Sequence, residues 1–464
     1  MTRTAAFFDL DRTVLPGGSG PVFAAALERI GVKTPKVPGL QLFFKAYERV
    51  GESLLVMQMA RQAARRTAGL VRSEVLAAAE EAAPILAALA QPYVGSVIQA
   101  HRSRGELLVL ATTSPYDLVA PLASLLGFDD VVATRYGEAD GRYTGDLDGE
   151  FVWGPGKLRS VQQFAGAHDV DLAQSWAYSD SVFDYPLLAA VGHPVAVNPD
   201  LRLRGIATLR RWPIRHFDVP SGVPKLGGLE PFDVIRSVLR PEFIPYARFD
   251  WNGIDRIPRR GPAIVAANHR SYFDPVVLGL ALGKAGRNAR MLGKKEVFDA
   301  PIVGQMARAM GGIRVDRGTG SAGPLEEAET ALRAGELVVI LPQGTIPRGE
   351  AFFDPELVGR SGVGRLAAMM PDVPVIPLGL WGTEAVWPRR SKVPHVWNVT
   401  DPPTITVSVG EPVEGLRGPA KKGRKADPSG DTALVMRAIM DLLPPESRVR
   451  REVSEADLAR TRPS

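Results

Sequence analysis

The 464-residue chain contains no cysteine. That absence excludes a disulfide framework, thiolate-bound iron–sulfur clusters, zinc ribbons and any cysteine nucleophile, and it leaves the redox compartment open. Histidine is also scarce. There are six, at positions 101, 168, 193, 216, 269 and 395, and no two lie within five residues of each other. The paired histidines of a zincin helix are therefore missing. No run of about 18 uninterrupted apolar residues occurs, which argues against a spanning helix. The amino terminus meets Asp9 before a signal-peptide core can form. Neither a Gly-x-Ser-x-Gly elbow nor a Gly-x4-Gly-Lys-Ser/Thr loop is present.

What is present is ordinary in composition. Hydrophobic residues make up 45% and charged residues 23%, which rules out wholesale disorder. Lys and Arg number 56 against 51 Asp and Glu, a net +5. This slight basic excess permits phosphates, acyl carriers or anionic lipid as partners and establishes none. No nucleic-acid partner is expected, and the oligomeric state is left open. At roughly 150 residues per domain, the length suggests two or three domains.

The N-terminal part alternates strand and helix patterns. Ala5 to Phe8 is a short apolar run, residues 14–105 carry helical patterns (Val22 to Ile30, Leu40 to Val50, and Ser73 to Ala90 with Ser73 as a cap), and Leu107 to Ala111 returns to strand. Lys157 opens a helical stretch and Trp176 to Tyr178 precedes an acidic turn. The expected fold class is α/β, a parallel core with a helical insert after its first strand. Between Trp212 and Phe232, Pro213, Pro220, Pro224 and Pro231 interleave with glycines, which reads as a linker over 213–232. A second α/β domain follows over 233–415, with strands at Ala263 to Ala267, Leu337 to Leu341, Val373 to Leu380 and Thr404 to Val409. Residues 416–464 read as a basic tail with one short helix, Thr432 to Leu443.

Chemistry concentrates at strand ends. Asp9 and Asp11, in Phe8-Asp9-Leu10-Asp11-Arg12-Thr13, stand at i and i+2, so on an extended chain they share a side. Two such anions call for a cation, and Mg²⁺ suits hard oxygen ligands. Asp9 is placed to attack phosphorus and Asp11 to act as acid and base. Thr112 and Ser114 end the next strand in hydroxyls, Lys157 offers an ammonium, and Asp180 and Asp184 add carboxylates. In that order the blocks resemble the haloacid dehalogenase superfamily, and the helical insert is similar to its phosphoserine phosphatase subgroup. Over residues 1–212 the resemblance implies a Rossmann-like core with a helical cap. It implies Mg²⁺ on Asp9, Asp11, Asp180 and Asp184, and phosphate contacts from Thr112, Ser114 and Lys157. It also implies phosphomonoester hydrolysis through an aspartyl phosphate.

In the second half, the strand Ala263 to Ala267 runs into Asn268-His269-Arg270-Ser271-Tyr272-Phe273-Asp274-Pro275. Asp274 before Pro275 has the signature of a helix N-cap. In a sharper reading His269 is a general base oriented by Asp274, and with no serine elbow the nucleophile is a substrate hydroxyl. Gly312-Ile313-Arg314-Val315-Asp316-Arg317, Pro342-Gln343-Gly344-Thr345-Ile346-Pro347-Arg348 and the strand containing Pro377 follow in order. These blocks resemble the glycerolipid acyltransferases that include 1-acylglycerol-3-phosphate acyltransferases. Where that family has Glu and Arg in its third block, this chain has Gln343 and Ile346. The resemblance implies acyl transfer from acyl-coenzyme A or acyl carrier protein to a lysophospholipid, giving phosphatidate from lysophosphatidate. Arg314, Arg317, Gln343, Gly344, Thr345 and Arg348 are the acceptor-binding candidates, and backbone N–H groups near Gly344 are expected to steady the oxyanion.

A bilayer-borne acceptor implies a peripheral enzyme on the cytoplasmic face of a membrane. Two segments are candidates for that contact: the helix from Phe232 to Arg240, which fits a headgroup layer or a protein core equally, and the basic cluster Lys421 to Lys425. The rival expectation is an idle phosphatase-like scaffold joined to an acyltransferase for an acceptor without phosphate.

Overall fold

A computed structural model of the chain describes residues 2–29, 31, 61, 64–225, 228–238, 240–316, 323–418, 425–450 and 452–462. The expected helix at Leu40 to Val50, as well as Arg317, Lys421, Lys422 and Arg424, lie outside the described residues. The chain divides into two compact units, Met1–Ser221 and Gly222–Ser464.

The first unit is built on a six-stranded sheet. Its strands are β1 (Ala5–Phe8), β2 (Leu107–Pro115), β3 (Asp130–Thr134), β6 (Trp176–Ser179), β7 (His193–Val197) and β8 (Ile214–Arg215), in the order β3-β2-β1-β6-β7-β8. Every pairing is parallel. A parallel sheet must be covered on both faces, and β1 shows how: Ala6 and Phe8 enter one apolar cluster, Ala5 and Phe7 the other. The described helices between β1 and β2 are Gly20–Arg29, Arg72–Ala88 and Val94–Ser103. The second of these starts before Ser73, which therefore lies inside the first turn rather than capping it. β4 (Tyr136–Ala139) and β5 (Arg142–Leu147) form a separate antiparallel hairpin.

In the second unit seven strands run in the order β12-β11-β13-β10-β14-β15-β9. They are β9 (Arg248–Asn252), β10 (Ala263–Ala267), β11 (Ala289–Lys294), β12 (Ile313–Val315), β13 (Leu337–Ile340), β14 (Val375–Trp381) and β15 (Thr404–Val409). Only the β14–β15 pairing is antiparallel. Along β10, Ala263, Val265 and Ala267 face one cluster and Ile264 and Ala266 the other. The helix Pro428–Met440, within the expected tail, places Val435, Met436 and Ile439 in the second of these clusters, and a further helix spans Glu455–Thr461. The helix Pro231–Val238 buries Phe232 and leaves Val234 half-exposed. Among the described residues no helix is long and apolar enough to cross a membrane.

Both sheets place chemistry by the same rule. In an open parallel sheet, ligands bind beyond the carboxyl ends of the strands where the strand order reverses. β1 lies between β2 and β6, and β10 between β13 and β14. The loops leaving these strands carry the motifs.

Candidate functional site

In the first unit, Asp9 follows β1 directly, its N–H donated to the Tyr178 carbonyl of β6 at 2.9 Å. Lys157, in the helix Pro155–Ala167, is 1% exposed. Its Nζ donates to Asp9 Oδ1 at 2.9 Å and to Asp184 Oδ2 at 2.6 Å. Ser179 Oγ adds a bond to the same Asp184 oxygen at 2.8 Å. The other oxygen, Asp184 Oδ1, is buried and has no partner among the described residues.

Asp11 lies in the tight turn Leu10–Val14 and accepts the Ser19 N–H at 2.7 Å. Desolvation raises its pKa above the ordinary carboxylate value, against the opposing pull of the Ser19 hydrogen bonds and the Lys157 charge. Asp180 is held by Arg12, with Nε 3.1 Å from Oδ2, and its N–H donates to Thr13 Oγ1 at 3.1 Å. Arg12 has φ near 63°, a left-handed conformation that few side chains adopt. Thr112 is buried and its Oγ1 accepts the Ser114 N–H at 3.2 Å. Neither Arg12 nor Ser179 was assigned a role from sequence. The signal lay inside quoted motifs, but the pairings span 168 and five residues and only folding reveals them.

Asp9 and Asp184 are thus joined through Lys157, while Asp180 is turned to Arg12 and Thr13. Among the described residues, no three carboxylate or imidazole groups are gathered as a ready metal site. The donor set nevertheless fits Mg²⁺. It is all hard oxygen, three carboxylates pair with two cations, and one buried carboxylate oxygen on Asp184 lacks a partner among the described residues.

In the second unit, His269 follows β10 by one residue. Its Nδ1 is 2.7 Å from Asp274 Oδ2. The same oxygen accepts the N–H of Arg270 at 2.7 Å and of Ser271 at 2.8 Å. Asp274 is the first residue of the helix Asp274–Lys284 and is fully buried. Its carboxylate reaches back to the preceding loop, so it does not cap its own helix as the Asp-Pro signature suggests. Nε2 of His269 has no partner among the described residues, and the side chain is 14% exposed. Asn268 anchors the loop from behind: its Nδ2 donates to the Leu380 carbonyl at 2.9 Å, and its Oδ1 accepts the Leu380 N–H at 2.7 Å.

Gln343 Oε1 accepts the His269 N–H at 2.6 Å. The residue that departs from the third block therefore still ties that block to the first. Gly344 has φ near 69°, and its own N–H is donated to the Leu341 carbonyl at 2.8 Å. That donor is engaged in the turn rather than directed outward. Thr345 Oγ1 accepts from Lys294 Nζ at 3.4 Å, Ile346 is buried, and Arg348 is exposed. Arg314 is half-exposed and paired with Asp299 and Asp316, each at 3.2 Å.

Residues 6–189 match the family of haloacid dehalogenase-like hydrolases, and residues 248–381 match the family described as Acyltransferase. The chain is 35% identical over 225 residues to the "Inhibition of morphological differentiation protein" of Streptomyces azureus, covering 47% of this chain and 80% of that one. It is 34% identical over 227 residues to "Phosphoserine phosphatase SerB1" of Mycobacterium tuberculosis (strain ATCC 25618 / H37Rv), covering 48% of this chain and 74% of that one. A solved structure of the 1-acyl-sn-glycerophosphate (LPA) acyltransferase PlsC from Thermotoga maritima aligns at 21% identity and a TM-score of 0.31, covering 46% of this chain and 79% of that one. The chain belongs to the haloacid dehalogenase-like hydrolases, in its phosphoserine phosphatase-like form, through its N-terminal unit, and it carries an acyltransferase domain in its C-terminal unit.

Proposed function

We propose that the protein is a bifunctional enzyme of phospholipid synthesis that acylates lysophosphatidate to phosphatidate and hydrolyses a phosphomonoester. The observation that carries the acyl-transfer reading is the 2.7 Å contact between His269 Nδ1 and Asp274 Oδ2, with Nε2 left available. In this reading the carboxylate assigns the ring proton to Nδ1. Nε2 then takes the proton of the acceptor hydroxyl while its oxygen bonds to the thioester carbonyl carbon. The carbon–sulfur bond breaks, and the imidazolium returns its proton to the leaving thiolate. The donor is acyl-coenzyme A or acyl carrier protein.

In the first unit, Asp9 attacks phosphorus, Asp11 protonates the leaving oxygen, and water later releases phosphate from Asp9. The desolvated, protonated tendency of Asp11 supports the acid role. Thr112, Ser114 and Lys157 bind the phosphoryl oxygens. Asp9, Asp11, Asp180 and Asp184 are the carboxylates for Mg²⁺, which when bound supplies charge neutralisation at the phosphoryl group. The lysolipid acceptor implies peripheral contact with a membrane.

Both activities are tested with the purified full chain. Labelled acyl thioester and a lysolipid panel, with products identified by mass, should yield phosphatidate. Phosphate release should vanish in Asp9→Asn. Acylation that persists in His269→Ala removes the proposed base, and equal phosphate release by wild type and Asp9→Asn favours a scaffold.

A further inference from the structure

Three loops leave the same edge of the second sheet, because β13, β10 and β14 are parallel neighbours. They carry Gln343, His269 and, after β14, residues 382–391. The loop after β14 is tied to the His269 loop: Ser271 Oγ donates to the Trp387 carbonyl at 2.6 Å, and the Tyr272 and Trp387 rings lie 5.9 Å apart. It is tied to the Gln343 loop through Arg389, whose Nη1 donates to the carbonyl of Ile346.

Arg389 is only 6% exposed, yet its Nε is buried with no partner among the described residues, and it makes no ion pair there. Two other buried arginines of the same unit show what a structural guanidinium looks like. Arg290 is matched by Glu230 and Glu336. Arg287 donates to the carbonyls of Pro258, Gly261 and Gly335. Arg389 has one carbonyl, and the charge beside it is another cation, Arg348, which with burial pushes its pKa down. Folding two cations together with no anion between them is unfavourable unless a ligand completes the set.

We propose that Arg389, with Arg348 at the surface, binds the phosphate of the acyl acceptor, resting on the acyl-transfer reading above. Ile346 stands where the related acyltransferases have an arginine, and the Arg389 guanidinium reaches the backbone of that same position from another loop. A planar guanidinium with an unused N–H suits a phosphate oxygen, and Arg348 supplies the second charge from the open side. Arg389 thereby sets the preference for a phosphate-bearing acceptor over a neutral one.

The test compares lysophosphatidate with monoacylglycerol as acceptors for wild type, Arg389→Gln, Arg389→Lys and Arg348→Gln. Losing one charge-assisted phosphate contact should raise KM for lysophosphatidate roughly 10- to 100-fold in Arg389→Gln. The KM for monoacylglycerol and the kcat for either acceptor should stay unchanged. Arg389→Lys should recover part of the preference. Arg348→Gln, at an exposed position that folding tolerates, should lose preference in the same direction and keeps the test decisive if Arg389→Gln melts early. A general loss of kcat with both acceptors makes Arg389 a loop clamp and overturns the assignment. So does an unchanged preference in both Gln variants while the wild type acylates lysophosphatidate, which leaves the acyl-transfer reading intact. A wild type that acylates neither acceptor overturns that reading and this assignment with it.

Discussion

Asp274 Oδ2 gathers three donors at once: His269 Nδ1 at 2.7 Å, the Arg270 N–H at 2.7 Å and the Ser271 N–H at 2.8 Å. The two backbone bonds fix the carboxylate whether or not the ring is present. The ring is then oriented by an acceptor that is already immobile, and this separates holding the loop from holding the base.

That separation makes Asp274→Asn informative. An amide oxygen in the place of Oδ2 can still accept from both backbone N–H groups and from Nδ1, but it carries no negative charge to stabilise the imidazolium that forms when Nε2 takes the acceptor's proton. We expect kcat for acyl transfer to fall by about 10²- to 10⁴-fold with KM little changed. Initial rates with labelled thioester check this, alongside a thermal melt. A fall of less than about threefold would confine Asp274 to a folding role.

Lys157 presents the opposite case, a buried cation between two carboxylates. In Lys157→Met, Asp9 and Asp184 face each other without it. We expect the loss of one partner of this buried set to destabilise the first unit by about 3–5 kcal/mol. Phosphate release should be lost as well. Adding Asp184→Asn removes one of the stranded charges, so the double variant should be more stable than Lys157→Met alone. Urea unfolding of the full chain reads both effects. Additive losses would show that the three groups do not act as a set.

The sequence made the motifs legible because their signals are local. Asp9 and Asp11 two apart at the end of an apolar run, and His269 five residues before Asp274, are patterns within one loop. The apolar stretches at 5–8 and 263–267 became strands because a buried strand needs little more than a short unbroken hydrophobic run bounded by turns, and 404–409 did so through the strict alternation of Ile405, Val407 and Val409 with hydroxyl residues. What stayed hidden depends on which strands become neighbours. Arg12 reaches Asp180, Gln343 reaches His269 and Arg389 reaches Ile346 only because distant loops leave one sheet edge together. Ser73 and Gly344 show a smaller limit. Each has a residue type suited to its expected role, but the helix begins two residues earlier than a Ser73 cap requires in one case, and in the other a turn already uses the N–H.

The raised pKa of Asp11 gives a pH signature with a definite sign. The unfolded carboxyl titrates near the ordinary value of 3.8, and the folded one titrates higher because burial disfavours its charge. Between these two values the folded protein holds more protons than the unfolded one, so stability falls as pH rises through the window and stays lower above it. Asp11→Asn cannot ionise and escapes that loss, and its side-chain oxygen still accepts the Ser19 N–H. Melting temperatures of wild type and Asp11→Asn from about pH 4 to about pH 8 should therefore diverge with rising pH, the variant gaining relative to wild type until the difference levels off. The same proton is the one proposed for the leaving group, so phosphate release by the wild type should decline as pH rises through the folded pKa, and Asp11→Asn should lack both the activity and that limb. A stability difference that is constant with pH would mean that Asp11 titrates alike in both states, and the acid role would lose its physical basis.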